Sequence, residues 1–90
     1  VLSPPEIQNS NISELDKEIS VFPNPFNDEI NIHINNQSEC TAYIYDMNGK
    51  LLISKNINKK LVLQPKIDSG IYFLEIKSKE NSYKKKIIRL

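Results

Sequence analysis

The sequence predicts an all-β domain over residues 19–90: a seven-stranded antiparallel Greek-key β-sandwich of Ig-like kind, preceded by a flexible linker over residues 1–18. Three observations carry this expectation. From Ile19 onward, apolar and polar residues alternate in short runs with the period of a strand that buries one face. Turn-forming residues interrupt the runs at intervals of about 8–12 residues, the spacing of a sandwich or barrel. No stretch after Ile19 longer than a turn has helical spacing, which excludes a parallel β-α-β sheet.

The linker carries Pro4-Pro5, several Ser and Asn, and isolated apolar residues without a sustained period. Ser20-Val21-Phe22 forms the first strand, stopped by Pro23 and Pro25, which lack the N–H that a ladder requires. Glu29 to Asn35 sets Ile30, Ile32 and Ile34 on one face and Asn31, His33 and Asn35 on the other. Thr41 to Asp46 sets Ala42 and Ile44 against Tyr43 and Tyr45. Asn48-Gly49 accepts positive φ at both positions and predicts a tight hairpin into Lys50 to Ser54. Lys60 to Leu63 follows and ends at Pro65, and Asp68-Ser69-Gly70 makes the next turn. Ile71 to Lys77 presents Tyr72, Leu74 and Ile76 inward, because that set contains no charge. Lys79-Glu80-Asn81-Ser82 reverses the chain into Tyr83 to Leu90, a final strand that leaves no spare tail.

With 90 residues there is room for one core, since a chain this short buries only roughly 60–65% of its unfolded surface. Twelve basic residues stand against 11 acidic ones, and a net charge of +1 gives no pull toward nucleic acid. The single cysteine, Cys40, cannot make an internal disulfide or a redox pair and reads as a small buried residue near a strand start. No apolar run approaches the roughly 20 residues of a membrane span, and Val1 is not followed by the basic-then-apolar pattern of a secretory signal. An exported protein would then carry that signal upstream, on a larger precursor.

Four segments stand out in their order: Pro23-Asn24-Pro25-Phe26, Ile44-Tyr45-Asp46-Met47-Asn48-Gly49-Lys50, Asp68-Ser69-Gly70-Ile71-Tyr72 and Lys84-Lys85-Lys86-Ile87-Ile88-Arg89-Leu90. Each is common in β proteins. Together, over Ile19 to Leu90, they resemble the C-terminal sorting domain of the type IX secretion system, type A. The family's opening segment is similar to Val21 through Phe26, its Gly-x-Tyr motif falls on Gly70 and Tyr72, and its terminal lysine falls on Lys84, Lys85 or Lys86. The resemblance implies a non-catalytic signal without cofactor that directs an attached passenger across the outer membrane. In many members a sortase-like peptidase then removes the domain and anchors the passenger at the cell surface. Implied partners are the type IX translocon, the sortase-like attachment components and the passenger domain of the same precursor. The boundary for cleavage falls within Asn9 to Ser20. The implied recognition residues are Pro23, Asn24, Pro25, Asp46, Gly49, Gly70, Tyr72, Lys84, Lys85, Lys86 and Arg89, on a monomer that inserts in no membrane.

Other residues read more plainly. His33 lies on a polar strand face without the companions of a metal site or a general base. Asp28 and Glu29 are strand neighbours that point to opposite faces and cannot flank one bond, so Asp28 reads as a turn residue, as do Asp46 and Asp68. No Asp-x-Asp-x-Asp-Gly loop offers converging oxygens to calcium. Asn11-Ile12-Ser13 and Asn36-Gln37-Ser38 match the glycosylation triplet by coincidence. The aromatic residues read as core, with Tyr43 and Tyr45 the pair a sugar-binding platform would use. That pair defines the rival function, a carbohydrate-binding or fibronectin-like module attached to a secreted enzyme. The terminal lysines read either as protection of an edge strand or as a docking surface, by charge attraction or by strand addition.

Overall fold

The computed structural model describes residues 18–35, 39–79 and 81–90. Residues 1–17 of the linker and both glycosylation triplets lie outside the described residues. The seven expected strands are all present: β1 (Ile19–Phe22), β2 (Ile30–Ile34), β3 (Cys40–Tyr45), β4 (Leu51–Ile57), β5 (Lys60–Leu63), β6 (Gly70–Lys77) and β7 (Ser82–Arg89). They form two antiparallel sheets, β1-β2-β5 and β4-β3-β6-β7, consistent with a β-sandwich. The chain changes sheet after β2, β4 and β5, so β2 lies beside β5 and β3 beside β6.

Alternation placed the core correctly. Ile30, Ile32 and Ile34 of β2, Ala42 and Ile44 of β3, and Tyr72, Leu74 and Ile76 of β6 are buried. They meet Ile57, Leu63 and Ile87 in one cluster that holds no charged residue. Tyr72 is fully part of this cluster, with Tyr83 packed against it, and the Tyr72 hydroxyl donates to the Asp68 carbonyl at 2.7 Å. A hydroxyl buried without a partner costs about 1–3 kcal/mol, so the reversal before β6 is tied to the core through this bond. Gly70 makes that reversal at φ +151°, a backbone setting that side chains rarely adopt.

One turn and one strand length differ from expectation. At the β3–β4 hairpin only Gly49 has positive φ, +86°, and Asn48 does not. Gly49 N–H donates to the Asp46 carbonyl and Asp46 N–H to the Lys50 carbonyl, both at 3.0 Å, so the loop has three residues instead of two. Asp46 imposes this shape, because its Oδ1 accepts from both Asn48 N–H and Lys50 N–H at 2.9 Å. The following strand, β4, runs three residues past Ser54. Ile57 is buried opposite Cys40, and Lys59 at φ +76° then reverses the chain into β5.

Cys40 opens β3 and is buried. Burial first, and the Glu18 carboxylate second, push its thiol pKa up. A raised folded-state pKa means the stability contribution is whole below the ordinary titration of an unfolded thiol and is lost as pH rises from there through the folded-state value. At pH 8 the native thiol is expected to resist a thiol-reactive dye and to label only on unfolding. Rapid stoichiometric labelling in buffer would contradict the burial.

Candidate functional site

The sequence motifs meet at one end of the four-stranded sheet. Register sets Tyr45 against Phe73 and Gly70 against Arg89, so the Asp46–Gly49 turn, the Gly70–Tyr72 corner and the tail of β7 share that end. The remaining motif, Pro23 through Phe26, arrives from the other sheet and closes on β7. Phe26 plugs the core with 0% of its surface exposed. Its N–H donates to the Ile88 carbonyl and its carbonyl accepts from Leu90 N–H, both at 2.8 Å, a single parallel bridge centred on Arg89.

Asn24 completes the closure. Its Oδ1 accepts from Ile88 N–H and its Nδ2 donates to the Lys86 carbonyl, both at 3.0 Å. One side-chain amide thus copies the donor and acceptor of a neighbouring strand. Pro23 and Pro25 flank it, exposed and with cis peptide bonds before them, and neither offers an N–H of its own.

This closure corrects the expectation of a free terminal edge. β7 is an edge strand, and its even-numbered residues turn their main-chain groups outward, as the Ile88 bonds show. From the Lys86 carbonyl to Leu90 those groups are occupied by Asn24 and Phe26. Among the described residues, the part of the edge left open runs from Ser82 to the Lys86 N–H.

The basic residues divide by face. Lys84 and Lys86 are exposed and face outward, whereas Lys85 is half-buried on the core-facing side between Tyr83 and Ile87. An inward lysine on an edge strand hinders pairing with a second sheet. Arg89 is half-buried, with one guanidinium nitrogen donating to the Leu90 carbonyl at 2.8 Å.

The aromatic platform is not bare. Tyr43 and Tyr45 stack on the outer face with centroids 6.3 Å apart. The Lys77 ammonium lies 5.8 Å over the Tyr43 ring, and the Tyr45 hydroxyl donates to Glu75 at 3.3 Å. Partial burial and the Glu75 carboxylate together push the Tyr45 pKa up. His33 packs edge-on against Phe22, 4.9 Å between centroids. Glu29 accepts from Gln64 at 3.4 Å, and no trio of His, Cys, Asp or Glu among the described residues converges on a metal position.

Sequence reasoning quoted Phe26 inside its motif but did not place it among the recognition residues. An apolar side chain directly after two prolines flanking an asparagine was the available signal. It also missed an exposed apolar group on the outer face, formed by Leu51, Ile71 and Phe73.

No curated protein matches the chain. A family model described as the secretion system C-terminal sorting domain matches residues 20–89, from the second residue of β1 to the last of β7. The motif-bearing loop, the closing strand and all of both sheets but Ile19 fall inside that match, and the chain belongs to this family, the C-terminal secretion signals of the type IX system.

Proposed function

We propose that the domain works as a folded, non-catalytic tag whose recognised feature is the end of the four-stranded sheet where the loop of Asn24 is closed on β7. The type IX translocon and the sortase-like attachment components are the partners, and the passenger upstream is the cargo, delivered toward the outer membrane and cell surface. Pro23, Asn24, Pro25, Asp46, Gly49, Gly70, Tyr72, Lys86 and Arg89 present this feature, and Lys84 and Lys85 extend it along β7. Cleavage within Asn9 to Ser20 separates cargo from tag.

The observation that carries the reading is the double hydrogen bond from Asn24 to β7, across 62 and 64 residues of sequence. Two segments that recognition would have to find together are fixed as one rigid surface. The test is to fuse the 90-residue chain to a fluorescent reporter with a Sec signal, in a host that has a type IX system. Reporter outside the cell is the expected result, and reporter retained in the periplasm overturns the reading.

A further inference from the structure

We propose that the open stretch of the β7 edge, Ser82 to Lys86, binds an extended acidic segment of a partner protein as an added strand. This rests on the sorting-signal reading and names the docking chemistry of that same surface.

The main chain supplies the template. Lys84 directs both its N–H and its carbonyl away from β6, and Lys86 directs its N–H the same way, with no backbone partner among the described residues. An edge with regularly spaced, unpaired donors and acceptors is the surface that captures an extended peptide. The loop of Asn24 and Phe26 occupies the edge beyond the Lys86 carbonyl and so stops an incoming strand there. About five residues, roughly 17 Å, remain for pairing.

Side chains choose the partner. Residues directly opposite one another on a sheet face are coupled, opposite charges favourably and like charges unfavourably. On the outer face Lys84 already sits across from Glu75 on β6, while Lys86 sits across from Phe73. An added strand would meet Lys84 and Lys86 from the other side, with Lys85 between them on the opposite face. Carboxylates at alternating positions fit both outward lysines. A second copy of this chain, pairing edge to edge, would set lysines against lysines. The edge is therefore closed to its own kind and open to an acidic strand, which is specificity by repulsion as well as attraction. The other long edge, β4, carries only Lys55 within its span and lacks this concentration of charge.

The probe is a nine-residue peptide alternating Glu with Val and Thr, titrated into the 90-residue chain while backbone amide shifts are followed by NMR. Shifts centred on Ser82 to Lys86 are expected, with affinity falling as salt is raised. Lys84→Pro removes an outward N–H and no ladder bond, so the melt should persist while peptide affinity drops at least tenfold. The double variant Lys84→Glu, Lys86→Glu should lose the acidic peptide and gain a matching lysine peptide. Absence of peptide binding, shifts centred on β4, or unchanged affinity in Lys84→Pro and in the double variant would each overturn the proposal. In the export assay, a wild-type fusion that leaves the cell alongside an equally exported Lys84→Pro fusion defeats strand addition alone. A wild-type fusion that stays inside defeats the sorting reading itself.

Discussion

Phe26→Ala is expected to lower the unfolding free energy by about 3–5 kcal/mol, the usual range when a fully buried phenylalanine is truncated. The ring has 0% of its surface exposed and belongs to the same cluster as Ile30, Ile44 and Ile87. A domain of this size holds only about 5–10 kcal/mol in total, so the variant stands near the edge of folding. The loss is also local in a telling way. The loop is held to β7 by the Phe26 main chain and the Asn24 amide, and the ring is what keeps both in place. Guanidinium titration should show the lowered midpoint, and amide exchange should quicken first at Ile88 and Leu90. A midpoint within measurement error of the parent would mean that the ring is not a structural plug.

Deleting Lys85 through Leu90 is expected to abolish the cooperative transition altogether. The deletion removes Ile87, which has 0% of its surface exposed, worth about 2–5 kcal/mol on truncation alone. It also removes five of the eight β7 residues paired with β6 and every main-chain partner of Asn24 and Phe26. Each buried group left unpaired adds about 1–3 kcal/mol. The sum exceeds the reserve of about 5–10 kcal/mol of a small domain. Loss of export on this deletion would thus report unfolding, and the surface variants at Lys84 and Lys86 are the ones that isolate recognition. A shortened chain that still melts sharply, within a few degrees of the parent, would refute this account.

Strands buried on one face were the most legible part of the molecule. Ile30, Ile32 and Ile34, or Tyr72, Leu74 and Ile76, alternate so regularly that both strand and orientation follow from the period alone. Turn geometry was less legible, because Asn48-Gly49 suits more than one hairpin and the choice fell to Asp46, whose carboxylate binds two amides of the loop. The far end of β4 is not legible, because Lys55 and Asn56 hide the buried Ile57 beyond them. At the candidate site the individual residues were readable, but their meeting was not. Asn24 and Ile88 are 64 residues apart, and no local pattern in either segment announces a partner. The half-covered edge followed from that meeting and was equally out of reach.

Because the loop at Asn24 locks onto residues that ribosomes make among the last of this stretch, the fastening cannot form on a nascent chain that stops short of Ile88. A precursor broken off during synthesis would carry cargo without a finished label. The same stitch that stiffens the domain therefore forms only when translation has passed the closing strand.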